Sequence, residues 1–456
     1  MDPEILGKES LEMSSRQRGI SRRSFLRSSA ALGTGLVFPA MVPGRVFSKD
    51  VPSQHITMGC IGMGRMGQGD LRSFLGFHDL RVLAVCDVDR NRAEDAKRIV
   101  DNAYAGRGEQ GQGKGCDVYG DYRELLERAD IDSVMICTPD HWHALPAIAA
   151  ARRGMDIFLE KPLTLTVEEG RLLSDTVQLY GRILQVGSQQ RSDSRFRFAC
   201  ELVRNGRIGG LEKVLVGVDV DPATGLRPSM PVPEHLDYEF WLGPAPWYPY
   251  TEDRVHPEKG YGRPGWLRVR DYGAGMITGW GAHHMDIAHW GAGLDRWGPV
   301  TVEGSAEFPR DGIWDVHGPF EIKYTYENGL QIIFADNKKN PQGIQFIGSD
   351  GWVRVARGQI TAEPQSLLKE VIGPKEIHLY KSQDHKANFL ECVRSRRETV
   401  ASVEVGHRSC SVCLLGDIAI RLGRKLRWDP AQERFMDDDE ANRRLSVPMR
   451  APWTLG

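Results

Sequence analysis

The densest group of chemically capable side chains in this sequence comprises His283, His284, Asp286 and His289. Imidazole and carboxylate groups exchange protons near neutral pH, and both also bind metal ions. The segment contains neither the H-E-x-x-H spacing of zinc enzymes nor a recognisable facial triad, so we predict no metal site. A histidine that acts as a general base needs a neighbouring group to fix its tautomer. Proton transfer is therefore the chemistry that this segment favours.

A glycine-rich turn at Gly62, Gly64 and Gly67 predicts a second function, the binding of a dinucleotide. The turn follows the apolar run His55–Ile61 and precedes Gln68–Phe77, which has helical spacing. In a strand–turn–helix unit the first glycine permits the tight turn and the second lets the backbone approach a pyrophosphate. The third glycine allows the helix to pack closely on the strand, and the helix N-terminus offers free N–H groups to the phosphates.

Asp87 strengthens this interpretation and bears on the choice of cofactor. It ends the strand-like run Leu80–Cys86, twenty residues beyond Gly67, where an acidic side chain can accept hydrogen bonds from the adenosine ribose. Its charge would repel a 2′-phosphate, so we expect NAD, with NADP less favoured. Arg90 and Arg92 follow closely and are the residues that could hold such a phosphate.

The elements that must position these residues read as a parallel sheet with helices. The run Ile131–Thr138 leads into Pro139, Asp140 and His143, and the run Asp156–Leu159 leads into Glu160, Lys161 and Pro162. The carboxyl ends of such strands face the ligand crevice. Three further elements complete this half of the chain: a surface loop at Asn102–Asp117, a helix at Ala144–Arg153 and a strand at Arg182–Val186.

The N-terminus has the pattern of a twin-arginine export signal. The stretch Ser21–Arg27 contains Arg22, Arg23 and Phe25, and a small, apolar run follows at 28–38. This run is too short to span a bilayer, which takes roughly 20 apolar residues, so we expect no stable membrane anchor. The export route carries proteins that have already folded, and we predict a periplasmic or otherwise exported protein.

Composition excludes other classes of function. A net charge of −2, with 41% apolar and 26% charged residues, is ordinary for a globular protein and gives no basic field for nucleic acid. The eight cysteines are not spaced as a disulfide framework. Cys60, Cys86 and Cys137 lie in strand-like runs, and Cys410 and Cys413 lie in a helical pattern, so we interpret all five as core residues.

Four segments together resemble the glucose–fructose oxidoreductase and inositol dehydrogenase (Gfo/Idh/MocA) family: the glycine turn, the Thr138–His143 segment, the Glu160-Lys161-Pro162 tripeptide and residues 388–407. The resemblance covers about residues 55–430. It implies a Rossmann NAD-binding domain at 52–188 and an α+β domain for substrate binding and oligomerisation at 189–435. Residues 1–45 would then be signal and linker, and 436–456 a C-terminal tail.

In the second domain, the resemblance implies a large, open-faced, mostly antiparallel sheet with one face under helices and the other free to pair with a partner subunit. A homodimer or homotetramer is therefore expected. Arg263, Arg268 and Arg270 lie among loop aromatics that suit stacking on sugar rings. These aromatics are Trp241, Trp247, Tyr248, Tyr250, Tyr261, Trp266, Tyr272 and Trp280.

The resemblance also assigns catalytic roles. It implies that Lys161 lies beside the nicotinamide and polarises or deprotonates the reacting hydroxyl, and that Pro162 shapes the loop through a cis bond. The family's catalytic histidine falls on His283, with His284 as the nearest competitor, while the family's aspartate falls on Gly279. The group that orients the histidine must then come from elsewhere, and Asp271 and His284 are the two candidates.

The motifs and the resemblance together give a cofactor-binding set and an expected reaction. The set is Gly62, Gly64, Arg65, Met66, Gly67, Asp87, Thr138, Pro139, Asp140, His143, Glu160, Lys161 and Gln189. We expect an oxidoreductase that transfers a hydride between a secondary hydroxyl of a sugar, sugar derivative or polyol and a tightly held NAD. Two alternatives stay open: an NAD-dependent glycoside hydrolase that works by transient oxidation and elimination, and a non-catalytic sugar or nucleotide sensor.

Overall fold

The computed structural model of the protein describes residues 55–107 and 115–456. The predicted export signal and linker, residues 1–45, lie outside these ranges. In the described part of the chain, no helix is both long enough and apolar enough to cross a membrane. This part contains a six-stranded sheet followed by a nine-stranded sheet.

The first sheet alternates strands and helices along the chain. Its elements are β1 (Ile56–Ile61), α1 (Arg65–Phe74), β2 (Leu80–Cys86), α2 (Arg90–Gly106), β3 (Asp117–Tyr119), α3 (Tyr122–Leu126), β4 (Ser133–Ile136), α4 (Ala144–Arg152), β5 (Asp156–Leu159), α5 (Val167–Leu179) and β6 (Leu184–Val186). All strand pairs are parallel, in the order β3-β2-β1-β4-β5-β6. The order reverses direction between β1 and β4, and a doubly wound sheet places its ligand crevice at that point.

Two helices of this half differ from the sequence prediction. The first begins at Arg65 and not at Gln68, so that Gly67 lies inside its first turn. Helix α2 continues to Gly106, so the first residues of the predicted loop Asn102–Asp117 are helical. Packing explains the extension, because Tyr104 lies against the core and its hydroxyl bonds to the backbone of Val82 in β2.

The second sheet is mostly antiparallel, as predicted. Its elements are α6 (Ser194–Arg204), β7 (Leu211–Val218), α7 (Tyr238–Leu242), α8 (Gly275–Gly279), α9 (Gly281–Ala292), β8 (Thr301–Ala306), β9 (Phe320–Thr325), β10 (Gln331–Asp336), β11 (Gly343–Gly348), β12 (Gly351–Ala356), β13 (Gln359–Glu363), α10 (His385–Ser395), α11 (Val403–Leu422), β14 (Leu426–Asp429), β15 (Arg434–Phe435) and α12 (Asp439–Asn442). The strand order is β13-β12-β11-β7-β10-β9-β8-β14-β15, and only β7 and β10 pair in parallel.

Helices α6, α9 and α11 pack on one face of this sheet. In β9 the side chains of Phe320, Ile322 and Tyr324 are buried under them, whereas Glu321 is exposed. This alternation is what a sheet with one covered face requires. On the opposite face, Leu215 of β7 and Ile333 of β10 are directly paired and half-buried.

The last part of the chain packs back onto earlier elements. Phe389 of α10 contacts Phe74 and Phe158 of the first sheet layer edge-on. In the C-terminal segment 436–456, Trp453 packs against Trp142 and stacks on Phe240. The C-terminal segment therefore supports the loop that follows β4.

Candidate functional site

A cleft of about 550 Å³ opens at the carboxyl ends of the parallel strands and is lined by both halves of the chain. The first half contributes the glycine turn and the loops that follow β2, β4 and β5. The second half contributes the loop around Arg263, the segment Gly279–His283 and the β12–β13 turn at Arg357. Its position is the one expected for a dinucleotide together with a second reactant.

The glycine turn is shaped to receive a phosphate group. Gly62 has a φ of +85°, and a β-carbon there would lie 2.7 Å from the backbone of Cys137. A β-carbon on Gly67 would overlap the carbonyl oxygen of Gly62, whereas one on Gly64 would meet only the Arg92 guanidinium, at 3.4 Å. Gly64 is the N-cap of α1 and supplies no side-chain cap, so the first amides of the helix are left for an anion.

Asp87 lies in the cleft but is also held by the backbone. One of its oxygens accepts a hydrogen bond from the Met63 amide at 2.7 Å, and the other accepts from the Asp89 amide at 2.9 Å. Burial raises the pKa of this carboxyl, although the charge of Arg92 opposes the rise. Arg92 lines the cleft and forms an ion pair with Asp89, in which Nε lies 3.4 Å from the carboxylate. Arg90 does not line the cleft.

The loop after β4 is held against the lysine loop by His143. One imidazole nitrogen, Nδ1, lies 2.7 Å from the carbonyl of Pro162, and Nε2 lies 2.9 Å from the carbonyl of Thr138. Burial lowers the pKa of His143 to about 4, and a neutral ring donates to only one of these two carbonyls at a time. Its neighbour Asp140 is buried at the cleft wall, and burial raises the pKa of that carboxyl to about 7.

Lys161 reaches across the cleft to the second half of the chain. Its Nζ donates a hydrogen bond to the carbonyl oxygen of Gly279 at 3.1 Å, and the Lys161–Pro162 bond is cis, as expected. Glu160 is buried beside it, and burial together with the charge of Asp70 raises the pKa of Glu160 to about 8. The lysine is thus fixed at the junction of the two domains.

His283 lies in the cleft and His284 does not. The two residues are consecutive on α9, so their side chains leave the helix about 100° apart. His283 lines the cleft and contacts the Trp280 ring edge-on, whereas His284 is buried and its Nδ1 lies 3.0 Å from the carbonyl of Gly217. The structure therefore places His283, and not His284, in the cleft lining, and the catalytic roles of both residues stay predictions.

The buried Nδ1 atom of His283 has no hydrogen-bond partner among the described residues. Of the two predicted orienting groups, His284 is bound to β7, and Asp271 lies in a separate cavity beside Tyr248. Neither prediction for the orienting group holds. Burial and the charges of Lys161 and Arg357 hold the pKa of His283 well below its ordinary value.

The other polar residues of α9 point to separate partners. Asp286 forms a buried ion pair with Arg191 at 2.7 Å, and His289 lies 2.6 Å from the Tyr326 hydroxyl. Among the described residues, no group of three or more histidine, cysteine or acidic side chains could hold a metal ion. All eight cysteines are free.

The eight loop aromatics do not all face the cleft, and Trp247 is 60% exposed. Trp241, Trp266 and Trp280 line the cleft, in agreement with a ligand-facing role. Tyr250 and Tyr272 are instead buried in a separate small hydrophobic core, which also contains Trp241. These rings fill a core because the Pro/Gly-rich segment has little regular structure with which to bury apolar surface.

Arg263 also lines the cleft, but the other two predicted arginines do not. Arg268 pairs with Asp221 at 3.2 Å, and Arg270 pairs with Asp417 at 2.8 Å at a different cavity. Sequence reasoning missed Arg357, whose guanidinium lies 4.5 Å from the centre of the Trp280 ring. It stands in a hairpin turn without a motif, so only the sheet register brings it to the cleft.

Most of the predicted cofactor-binding set is brought together at this cleft. Gly67 is the exception, since it packs under the turn and does not line the cleft. The residues in the lining are Gly62, Gly64, Arg65, Met66, Asp87, Thr138, Pro139, Asp140, His143, Glu160, Lys161 and Gln189. Their roles in binding stay predictions.

Two sequence models of one family match the chain. The model described as "Oxidoreductase family, NAD-binding Rossmann fold" matches residues 56–188. The model described as "Oxidoreductase family, C-terminal alpha/beta domain" matches residues 222–455, which is more than half of the chain. The protein belongs to the Gfo/Idh/MocA oxidoreductase family. Its first domain is therefore an NAD-binding domain.

Curated relatives resemble part of the chain. A glycosyl hydrolase family 109 protein of Saccharopolyspora erythraea is 30% identical over 43% of this chain and 45% of its own length. The uncharacterized oxidoreductase YrbE of Bacillus subtilis is 31% identical over 34% of this chain and 42% of its own length. The chain thus spans less than half of the length of these two relatives.

Solved structures of the family share the fold across most of the chain. The WlbA dehydrogenase of Bordetella pertussis, in complex with NADH and UDP-GlcNAcA, is 16% identical, covers 82% of this chain and 99% of its own, and has a TM-score of 0.59. The scyllo-inositol dehydrogenase of Lactobacillus casei, with bound NAD(H) and scyllo-inositol, is 16% identical with the same two coverages and a TM-score of 0.56. At these identities the likeness shows the fold alone.

Proposed function

We propose that the protein is an NAD-dependent oxidoreductase that removes a hydride from a secondary hydroxyl carbon of a sugar, sugar derivative or polyol. The observation that carries the proposal is the convergence of Lys161 from the first domain and His283 from the second at one cleft. The glycine turn and Asp87 form the other end of the same cleft. A dinucleotide bound along it would reach both ends.

The residues present fit an NAD molecule. The uncapped start of α1 and the open side of Gly64 would hold the pyrophosphate, and Asp87 would accept from the ribose. Thr138, Pro139 and Gln189 would line the remaining part of the dinucleotide. When bound, the nicotinamide accepts a hydride from the substrate carbon and can return it.

The chain itself manages the proton and the orientation of the substrate. The Gly279 carbonyl fixes the ammonium of Lys161, which donates a hydrogen bond to the substrate oxygen and stabilises negative charge there. His283 offers its Nε2 to the hydroxyl proton, while its Nδ1 stays buried without a partner among the described residues. The tryptophans of the cleft exclude water and stack on the sugar ring.

Lys161→Met tests this proposal. Purified protein loaded with NAD is mixed with sugars, aminosugars, glycosides and inositols, and nicotinamide reduction is followed by absorbance. We expect turnover to fall by at least 10³-fold in the variant, in line with the loss of an electrostatic and proton-transfer group, while NAD affinity changes little. Lys213→Met, an exposed lysine on the second sheet, is the matched control. Unaltered turnover in Lys161→Met would remove Lys161 from the mechanism.

A second candidate function is NAD-dependent glycoside hydrolysis by transient oxidation and elimination. The glycosyl hydrolase family 109 relatives favour it, although they match only part of the chain. The same mixing experiment separates the candidates when released aglycone is measured as well. Lasting nicotinamide reduction without cleavage supports the dehydrogenase, whereas cleavage without net reduction supports the hydrolase. Silence in both assays favours a sensor.

We also propose export through the twin-arginine route and assembly into a homodimer or homotetramer through the second sheet. The motif at Ser21–Arg27 supports export. Replacement of Arg22 and Arg23 by lysine should retain the protein in the cytoplasm in a fractionation experiment, and equal export of this variant would refute the route.

Assembly is supported by the half-buried outward face at Leu215 and Ile333.

A further inference from the structure

The substrate end of the cleft has an excess of positive charge. Three cationic side chains line it: Lys161, Arg263 and Arg357. Burial raises the pKa values of two carboxyls in the lining, Asp140 and Glu160, to about 7 and about 8, which reduces their negative charge at neutral pH. A cleft of uncompensated positive charge attracts and retains anions.

Arg357 is an exposed cation at the cleft without a paired carboxylate among the described residues. Within the described ranges 55–107 and 115–456 it forms no ion pair, and its guanidinium lies over the face of Trp280. Glu160 and Asp193 act on it only as charges at a distance. A planar guanidinium in this setting keeps its N–H groups free, and such groups bind carboxylate or phosphate oxygens in pairs.

Arg263 is only weakly neutralised. Its closest carboxylate oxygen belongs to Asp221, at 3.5 Å, and that same oxygen already pairs with Arg268 at 3.2 Å. The other oxygen of Asp221 accepts from the Met276 amide at 2.6 Å. One carboxylate therefore pairs with two arginines, so it neutralises the positive charge of Arg263 only in part.

The cleft that these residues line also has open space at Gly279. Gly279 lines the cleft, and a β-carbon built on it would meet no heavy atom of the described residues within 4 Å. Its carbonyl is the acceptor for Lys161 Nζ, so the open space lies next to the reacting centre. Trp280, the ring under Arg357, is the next residue of the chain.

We propose that the substrate is an acidic sugar, bearing a carboxylate or phosphate group, and that Arg263 and Arg357 bind this group in the open space near Gly279. The inference rests on the proposed function and names its substrate class. A neutral sugar would leave the two guanidinium groups at the cleft without a counter-charge. An acidic sugar supplies that charge and leaves Lys161 and His283 to the hydroxyl.

The first test compares kcat/KM for acidic and matching neutral sugars. Uronates, aldonates and hexose 6-phosphates form the acidic set, and their preference order separates carboxylate from phosphate as the bound group. We expect the acidic set to be preferred, and Arg357→Met and Arg263→Met each to lower the acidic-to-neutral ratio about tenfold. Arg354→Met is the control, since Arg354 lies in the same hairpin, outside the cleft lining, and donates to the Gln342 carbonyl.

A second variant adds charge instead of removing it. Gly279→Asp places a carboxylate in the open space and should lower kcat/KM for acidic sugars about tenfold, whereas the isosteric Gly279→Asn should lower it far less. Equal effects of the two variants, a preference for neutral sugars, or an unchanged ratio in both arginine variants would overturn the inference.

Failure of the proposed function gives a different result. If no sugar reduces the nicotinamide, binding of the acidic set to NAD-loaded protein is measured by calorimetry. Binding that is lost in Arg357→Met supports the acidic ligand while the oxidoreductase proposal fails. Absence of binding by every acidic sugar overturns the inference as well.

Discussion

Asp87 accepts two backbone hydrogen bonds at the end of β2, one from Met63 in the glycine turn and one from Asp89. Asp87→Asn replaces one acceptor oxygen by an N–H₂ group and leaves one amide without an acceptor, at a cost of about 1–3 kcal/mol. Because one of the two amides belongs to the turn that would hold the pyrophosphate and the carboxylate would accept from the ribose, we expect NAD affinity to fall about tenfold or more. Fluorescence titration with NADH measures the change.

Asp437→Asn is the matched control for this variant, because Asp437 lies far along the chain with a side chain that is 83% exposed. It should bind NADH like the wild type. The wild type should also prefer NADH to NADPH, and Asp87→Asn should narrow that preference. Unchanged NADH affinity in Asp87→Asn would contradict the role given to the carboxylate.

Among single residues, those within short motifs could be predicted from the sequence and the isolated ones could not. Lys161 lies two residues beyond the end of a buried strand, so its place at the crevice follows from the strand alone. The choice between His283 and His284 depends on the rotation of α9, which its apolar pattern does not determine because every residue from Gly281 to Gly291 is buried. The position of Arg357 at the cleft depends on strand pairing that no local sequence pattern reveals.

At the scale of elements, a charged cluster joins α5 to α11 and to the β14–β15 turn. Arg171 pairs with Glu404 at 2.9 Å and with Glu433 at 2.8 Å, and Arg408 adds a second contact to Glu404. Burial alone would raise the pKa of Glu404, but the hydrogen bond and charge of Arg171 and the hydrogen bond from Arg408 lower it to about 2. Glu404→Gln should therefore cost roughly 2–3 kcal/mol of unfolding free energy at pH 7.

The pH dependence of this cost has a definite sign. A carboxyl whose pKa is lower in the folded state stabilises the fold above its unfolded pKa, and this stability is lost as pH falls through the folded value. The difference in unfolding free energy between wild type and Glu404→Gln should stay constant above about pH 5.5 and shrink between pH 4.5 and 2. Urea unfolding at several pH values checks this. An equal difference at pH 3 and pH 7 would contradict it.

The same cluster shows what patterns within an element can predict. The Thr166–Glu169 capping box at the start of α5 is a local signature, and the structure contains it. Two partners of Arg171, Glu404 and Glu433, are more than 230 residues away along the chain, so no spacing rule indicates them.

For the whole molecule, the order of the first sheet follows from alternating strands and helices with right-handed crossovers. The nine-stranded sheet does not follow in the same way, because β7 pairs with both β10 and β11 and so lies in the middle of strands that come much later. The mostly antiparallel pairing of this sheet was predictable only from the resemblance to a known family. The placement of Arg357 over Trp280 depends on that long-range order.

The outward face of this sheet carries the last prediction. Leu215 and Ile333 are paired across β7 and β10, with Gln345 beside Leu215 and Lys323 beside Ile333, and all four are half-buried. A second copy of the chain can cover this apolar pair while the flanking polar side chains find partners. Sedimentation velocity at micromolar concentration should therefore show a homodimer or homotetramer.

Leu215→Arg should weaken association at least tenfold, because it buries an unpaired charge at the interface. Leu226→Arg, at a side chain that is 82% exposed on a loop, should leave it unchanged. A monomeric wild type, or equal association in Leu215→Arg, would place the interface elsewhere.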